Sequence, residues 1–584
     1  MVKRQNREIT HLWEMYEEGI SSQIKLGLRH IIPRNIEFYE GKQWPDPTEA
    51  TKNLPRPVIN IVKMICRNKK ASILSTPVRI LYKSYTQNTD TDKLNAFAQC
   101  VLKELDQDGL DRLAIDDGIK KGSYFYHYYW DKTAISQTGQ VEGGVRCEII
   151  DPLNIFFSNP HNLDEQNQKW ILISTPTDKS ELRNICGDDA TYKTILAEEG
   201  DFSDEQSESI IVLTRYFRLD GEVYCERGTK HALIGKPFKL APDICHLEEL
   251  LSSSYKVQKQ VDVKETEDAA QVDITQPASM ILNQAAISSL QAKFERKRKA
   301  CSLYPIVSGY YERREGSIYG ISEVEGLIPN QKAINFNIAM SLLNAQQCAW
   351  GKYIALPNAL KGQTITNSPG QVLIDHSGTG QGIKRMADVG ISQVPVDISE
   401  KITEMTRLTT GASEILSGEA LNSNLSGVAI AQLQAQAEVP IEELRAEFIK
   451  AKRKQGMVLA QFLRLYYFDR QFIRSKSTFD GKEEEICDFF TSNDYRESVL
   501  DVIVEPTRGT KATITSDINL LDNCLKNGSI SLETYIKAYP EGVISNKHTI
   551  LHQIEAEKSS KIEALRRELE RYKNPKTVDP VSII

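Results

Sequence analysis

YGISEVEGLIPNQKAINFNIAMSLLNAQQCAW, residues 319–350, decides how the chain is organised. Ser322 and Glu325 have the Ser-x-x-Glu spacing of a capping box, so a helix should open there and run to about Trp350. Pro329 lies inside it and predicts a kink, because proline removes a backbone donor and crowds the preceding turn. Ala333 to Gly351 carries no charge over nineteen residues, yet Asn335, Asn337, Ser341, Asn344, Gln346 and Gln347 make it too polar to cross a bilayer. A helix of amides and small side chains suits packing against other helices. Gln331 and Asn335, four residues apart on one face, can bond across to a neighbouring helix.

Toward the C-terminus, residues 351–395 hold Pro357, Gly362, Pro369, Gly370, Gly378, Gly380, Gly382 and Gly390 around short strand-like runs such as QVLID, which implies a small turn-rich lobe. Helix returns at about Asp397–Thr409. Gly411, Gly418 and Gly427, with serines between them, read as a flexible loop. A very long helix follows from Val428 to about Ile473, where Ile441, Leu444 and Phe448, then Val458, Phe462 and Leu465, recur at helical spacing, with a bend expected at Pro440. SVLDVIVEP is strand-like, and residues 518–572 read as helical, ending in a charged helix before Pro575.

Toward the N-terminus the pattern alternates. A helix is predicted over about Glu8–Arg29, then NIEFYEGKQWPDP, then a helical stretch in RPVINIVKMICRNKKASIL after the break at Pro55 and Pro57. A helix from about Thr91 to Lys121 leads into SYFYHYYWD, whose aromatic run has strand composition. VRCEIID, KWILIS, IIVLTRYFRL and EVYCERG are further strands, the last two joined at Asp220-Gly221 as a hairpin. Residues 1–318 are therefore mixed α+β, with the chain as a whole mainly helical. Residues 252–276 are polar and aperiodic, as in a surface insertion, and a helix over Ala278–Arg298 ends in KFERKRK, read as a solvated helix end rather than a nucleic-acid contact.

Composition bounds the function. At 584 residues the chain is too long for one core. Its 79 acidic and 72 basic residues give a net charge of -7, so the bulk surface offers no polycationic attraction to nucleic acid. Ten cysteines without a C-x-x-C pair suit reduced core thiols. The N-terminal sequence lacks the apolar core of a signal peptide, so synthesis in the cytoplasm is expected. Catalytic constellations are missing: GTGQGIKR at Gly378 lacks the spacing and hydroxyl of a phosphate loop, and Thr549 stands where His548 and His552 would need a glutamate. There is no G-x-S-x-G elbow. Glu483, Glu484 and Glu485 read as solvated charge. No enzymatic activity, cofactor or metal is expected. A nuclease or helicase would need clustered carboxylates or a phosphate loop, and neither is visible.

The order of these elements, with several motifs, resembles the portal proteins of tailed bacteriophages over most of the chain. The motifs are Phe38-Tyr39-Glu40-Gly41-x-Gln43-Trp44, Arg56-Pro57-Val58-Ile59-Asn60, Asp151-Pro152-x-Asn154-Ile155, Tyr319-Gly320-x-Ser322, Pro329-x-Gln331-x-x-x-Asn335 and Leu425-Ser426-Gly427-Val428-Ala429-Ile430. Each is weak alone; their order gives them specificity. The resemblance implies a wing (1–318), a first stem helix (319–350), a clip (351–395), a second stem helix (396–410), a tunnel loop (411–427), a kinked spine helix returning to the wing (428–514) and a helical crown (515–584). It implies a homo-oligomeric ring of twelve subunits with a central channel at one capsid vertex of the virion, a packing that the cross-bonding of Gln331 and Asn335 to a neighbouring helix would suit. Double-stranded DNA would pass through for packaging and ejection. The partners would be the terminase large subunit, the major capsid and scaffold proteins, and the head-completion or neck proteins, with no membrane. The alternative is another virion protein, such as a head-to-tail adaptor or minor capsid protein.

A DNA channel has to hold a polyanion without gripping it, so its wall should be neutral or acidic. From Pro395 to Gly427, Asp397, Glu400, Glu404, Glu414 and Glu419 face only Lys401 and Arg407, a balance of -3 per subunit. Glu400, Lys401, Glu404 and Arg407 are the stem residues expected at the lumen. Glu414, Glu419, Asn422, Ser423 and Asn424 are the loop residues expected to meet DNA, the amides and hydroxyl through weak hydrogen bonds to phosphates. Lys352, Lys361, Lys384 and Arg385 are candidates for docking the motor, against the plainer reading of each as solvated charge.

Overall fold

A computed structural model describes residues 2–242 and 300–539, apart from 50, 76, 86–90, 136–142, 188, 200–208, 350–352, 367–370, 379–380, 386–391, 412–426, 468–470, 480–481, 492–494, 496–497 and 507–510, together with scattered positions from 550 to 566. The insertion at 252–276, the helix expected over Ala278–Arg298 and the loop at 412–426 lie outside the described residues. The chain divides into one unit of Met1–Ile73, Ile80–Ala412 and Pro440–Val504, and a second of Leu74–Arg79, Ser413–Val439 and Glu505–Ile584.

The N-terminal helix predicted to end at Arg29 is two helices. α1 (Val2–Lys25) stops where Gly27 takes a left-handed φ of 76°, and α2 (Leu28–Glu40) continues through Pro33 to Gly41, φ 101°. Glycine permits both reversals, which would strain a residue with a Cβ. α3 (Ile61–Ile73) lies in the predicted stretch. The helix expected over 91–121 is likewise broken into α4 (Asp92–Glu104) and α5 (Gln107–Lys121). Asp106 turns left-handed between them, φ 48°, and its carboxylate accepts from the Gly109 amide, so a local cap overrides the longer helical pattern.

The strands form separate antiparallel sheets. β2 (Ser123–Asp131) is central between β3 (Gly144–Ile150) and β9 (Ile306–Tyr310). Its aromatic run is buried: Tyr124, Phe125, Tyr126 and Tyr128 line both faces, and the Tyr126 hydroxyl donates to Asp111 at 2.8 Å. A second sheet runs β4 (Ile155–Phe157), β5 (Trp170–Asp178), β6 (Ser209–Leu219), β7 (Glu222–Gly228) and β8 (Leu233–Lys239). Asp220 and Gly221 both have positive φ, as the tight hairpin between β6 and β7 requires. Alternation along the strands supplies two cores. Leu213 and Leu233 face Ile9, Leu12 and Met15 of α1, while Ile210, Val212 and Ile234 face Leu182 of α6 (Lys179–Cys186) and Ile195 of α7 (Asp189–Glu199). β4, β8, β9 and β1 (Val78–Ser84) had no sequence signal strong enough to predict, being short runs without sustained alternation.

α8 (Glu323–Ala349) runs through Pro329, as predicted, and α9 (Val394–Thr409) follows the lobe. In the lobe the paired strands are β10 (Tyr353–Ala355) and β11 (Ile383–Arg385), not QVLID. Asp375 instead closes a turn, accepting from the Ser377 and Gly382 amides, each at 2.8 Å. α10 (Gly427–Leu465) ends eight residues before Ile473, which belongs to β12 (Gln471–Phe479) of a hairpin with β13 (Lys482–Phe490). Backbone pairing with β13 takes over where the helical stripe stops, and Glu483, Glu484 and Glu485 sit on that strand. β14 (Leu500–Pro506) pairs with β1. In the second unit, α11 (Lys511–Lys526) and α12 (Leu532–Ala538) are separate helices, α12 capped by Ser531.

Within the first unit, polar contacts fix residues 440–465 of α10. Lys452 pairs with Asp111, both nearly sealed from solvent, and Lys454 pairs with buried Glu165 at 2.7 Å. Two residues apart on a helix, these lysines point to roughly opposite sides. Gly456, costly in mid-helix by about 1 kcal/mol, lets Val502 pack close; a Cβ there would lie 2.4 Å from Val502 Cγ1. The eight cysteines whose side chains are described are all free thiols.

Candidate ring and channel surface

α8 and α9 pack as a helical hairpin rooted in the first unit. The root is built from the motif residues. Ser322 Oγ accepts from the Val324 amide at 3.0 Å and donates to the Ile119 carbonyl at 2.8 Å, so it caps α8 and ties it to α5. The reciprocal half of the expected capping box gives way to an ion pair, Glu325 with Arg314 at 3.1 Å. Glu323 accepts from Lys69 at 2.8 Å and from the Tyr311 hydroxyl at 2.9 Å. Burial and the Glu323 carboxylate together push the Tyr311 phenol far above its usual range.

Gln331 and Asn335 do not reach toward another subunit; they are consumed within this chain. Gln331 Oε1 accepts from the Ile61 and Val62 amides at 3.0 and 3.3 Å, capping α3, while its Nε2 donates to the Ile59 carbonyl at 2.7 Å and to Asn335 Oδ1 at 2.9 Å. Asn335 Nδ2 donates to Gln43 Oε1 at 2.7 Å, and Gln43 Nε2 to the Phe38 carbonyl at 2.8 Å. Asn60 donates to the Tyr39 carbonyl, and Trp44 Nε1 to that of Pro57. Three motifs distant in sequence thus meet in one buried amide network. The first amides of α3 and the Phe38 carbonyl at the end of α2 are buried groups without a partner in their own helix, and the network supplies one.

A second junction joins two further motifs. Gln23 Nε2 donates to the carbonyls of Pro152 and Ile155, each at 3.1 Å, and the Tyr319 hydroxyl donates to the Ile155 carbonyl at 2.7 Å. Gly320 lies so close to Gly122 that a Cβ on it would stand 2.4 Å from the Gly122 carbonyl oxygen. Lys121 donates to Asp151 at 2.8 Å.

α9 divides into sectors at roughly 100° per residue. Ser399 and Thr406 are buried, their hydroxyls donating to the carbonyls of Pro395 and Ile402 in the same helix, and Asn330 of α8 donates to Thr406 Oγ1 at 3.0 Å. Small side chains let the two helices approach. Asp397, Glu400, Glu404 and Arg407 form the next sector, while Lys401 falls between Leu408 and Val394; Glu400, Lys401 and Glu404 are exposed and Arg407 is half-buried. Beside it runs an apolar stripe, Val394, Ile398, Met405 and Leu408, all exposed, with Leu408 at 74%. α8 adds exposed Phe336 and Met340, one turn apart. The stripe follows helical spacing and was legible in the sequence, but its exposure was not.

In the lobe, Lys361 and Lys384 are exposed and Arg385 is in β11, while Lys352 lies outside the described residues. Glu414, Glu419, Asn422, Ser423 and Asn424 also lie outside them. Among the described residues, no cluster of three or more His, Cys, Asp or Glu side chains could hold a metal ion, and no helix is long and apolar enough to cross a membrane.

The first unit thus carries a helical hairpin rooted in an α+β body, with a small β lobe at its turn. The chain belongs to the phage P22-like portal protein family, whose family model matches residues 32–519 of the 584. It is a structural component of a phage virion, and its family assembles as an oligomer in the capsid. None of the curated proteins matches it.

Proposed function

We propose that twelve copies of this chain form a ring at one capsid vertex, and that double-stranded DNA passes through its central channel during packaging and ejection. The observation that carries this reading is the pairing of sectors on α9, an exposed apolar stripe beside an acidic one. Large apolar side chains left in water are an interface waiting for its partner. The neighbouring subunit's hairpin is the natural occupant, since in a ring every copy presents the same pair of surfaces. That packing turns Asp397, Glu400 and Glu404 toward the axis, where a carboxylate wall repels phosphate and keeps DNA from binding to it.

In this reading, residues 319–350 and 396–410 are the stem, 351–395 the clip, 411–427 the tunnel loop, 428–514 the spine, 515–584 the crown and 1–318 the wing. Lys361 and Lys384, with Lys352 and Arg385, offer the clip's positive charge to the terminase large subunit, and later to the neck proteins. The major capsid and scaffold proteins meet the body of the ring. The chain, made in the host cytoplasm, performs no catalysis of its own; the terminase motor hydrolyses ATP.

Electron microscopy of the purified protein, with particles classified along their axis, tests the proposal. Closed hollow rings of about twelve subunits, wide enough for a duplex, are the expected result. A persistent monomer at high concentration, or a particle without a channel, would overturn it in favour of a head-to-tail adaptor or minor capsid protein.

A further inference from the structure

The net charge of -7 conceals a local concentration of the opposite sign. On α3, Lys63, Arg67 and Lys70 fall at i, i+4 and i+7 and share one face over about 10 Å. α5 brings a fourth cation beside them: Lys120 Nζ sits 4.2 Å from the centre of the Tyr39 ring, and Lys63 Nζ lies 5.7 Å from the same ring. Lys70 and Lys120 both pair with Asp116, the former at 3.0 Å. Among the described residues, Asp116 is the only carboxylate paired with any of these four cations. Arg67 is exposed.

Like charges one turn apart on a helix repel; Asp116 offsets Lys70 and Lys120, and leaves Lys63 and Arg67 without a carboxylate partner among the described residues. A polyanion relieves that repulsion. The α3 face also lacks what a protein partner would need at its centre, since none of the exposed large apolar side chains among the described residues lies on α3. The phosphates of duplex DNA, about one charge per 1.7 Å of axis, supply several charges along a 10 Å stretch. Such a face would add friction to a channel wall, so it suits DNA that is held outside the channel rather than passed along it.

We propose that Lys63, Arg67, Lys70 and Lys120 form a docking surface for the phosphate backbone of double-stranded DNA lying against the outside of the subunit. The inference rests on the portal reading only for the presence of that DNA.

Closed circular duplex DNA has no end to thread, so its retention by the full-length protein reports a surface outside any channel. The protein should retain the circle at low salt, with the logarithm of affinity falling linearly against that of salt concentration. The K63E/R67E double variant should bind at least about tenfold more weakly near 0.1 M salt, and its salt slope should shrink by about two, close to 0.9 per lost phosphate contact. Charge reversal at exposed Lys179, on α6, should change neither quantity. The proposal is overturned if the double variant matches the parent in affinity and slope, if the parent does not retain the circle, or if poly-glutamate binds as tightly as the duplex. Electron micrographs of the same samples separate the two readings. Rings from the double variant establish that its subunits fold, and a parent that binds the circle yet forms no rings removes the channel reading alone.

Discussion

Gln331 offers one acceptor and one amino group, and both are used twice, on the amides of Ile61 and Val62, the Ile59 carbonyl and Asn335. Truncating it leaves buried backbone groups unpaired, each costing about 1–3 kcal/mol. Gln331→Ala should therefore lower the denaturation midpoint by the equivalent of several kcal/mol, while Lys332→Ala, one position along on the exposed face, should leave it nearly unchanged. Asp116 gives a pH-dependent counterpart. Burial pushes its carboxyl up, but hydrogen bonds from Lys120 and Lys70 outweigh that and leave it below its usual value. Its folded pKa lies below the unfolded value of about 3.9, so its contribution is present above that pH and is lost as pH falls through the folded pKa. Stability measured from about pH 5 to pH 2 should fall less steeply in Asp116→Asn than in the parent.

The long helix α10 is held by charge as well as by apolar packing. Lys452 and Asp111 are both nearly sealed from water, and removing one partner leaves the other as an uncompensated buried charge, a loss of about 3–5 kcal/mol. Lys452→Met alone should destabilise strongly, and adding Asp111→Asn, which keeps an acceptor for the Tyr126 hydroxyl and for Gln107, should restore much of the loss because neither charge then remains buried. Equal destabilisation by the single and double variants would show that the helix needs the ions themselves. The helix boundaries teach the same lesson. Periodicity located α8 and α9 closely, but it ran past Gly27, Asp106 and Leu465, where a left-handed residue or a strand pairing ended the helix.

For the assembled molecule, the exposed stripe on α9 carries the prediction. Ile398→Glu with Leu408→Glu places carboxylates where the neighbouring hairpin is proposed to pack, without touching the buried Ser399 or the Thr406 that Asn330 bonds from α8. Such a variant should remain folded by circular dichroism while sedimenting as monomers or incomplete arcs. Normal rings from it would remove the stripe from the interface.

The sequence by itself determined the class of the molecule: the mixed α+β body, the helix at 323–349 with no charge after Lys332, the turn-rich lobe and the long helix, because caps, turn residues and apolar periodicity act over a few neighbours and are written locally. It also contained the motifs, but not their meaning. Gln331 and Asn335 looked like groups for a neighbouring subunit, and only the tertiary structure turned them inward onto α3 and Gln43. The basic face of α3 was likewise hidden within an acidic total until α5 brought Lys120 to the Tyr39 ring beside it. Hydrogen-bond partners and charge neighbourhoods join residues up to hundreds of positions apart, and no local pattern specifies which pairs will meet.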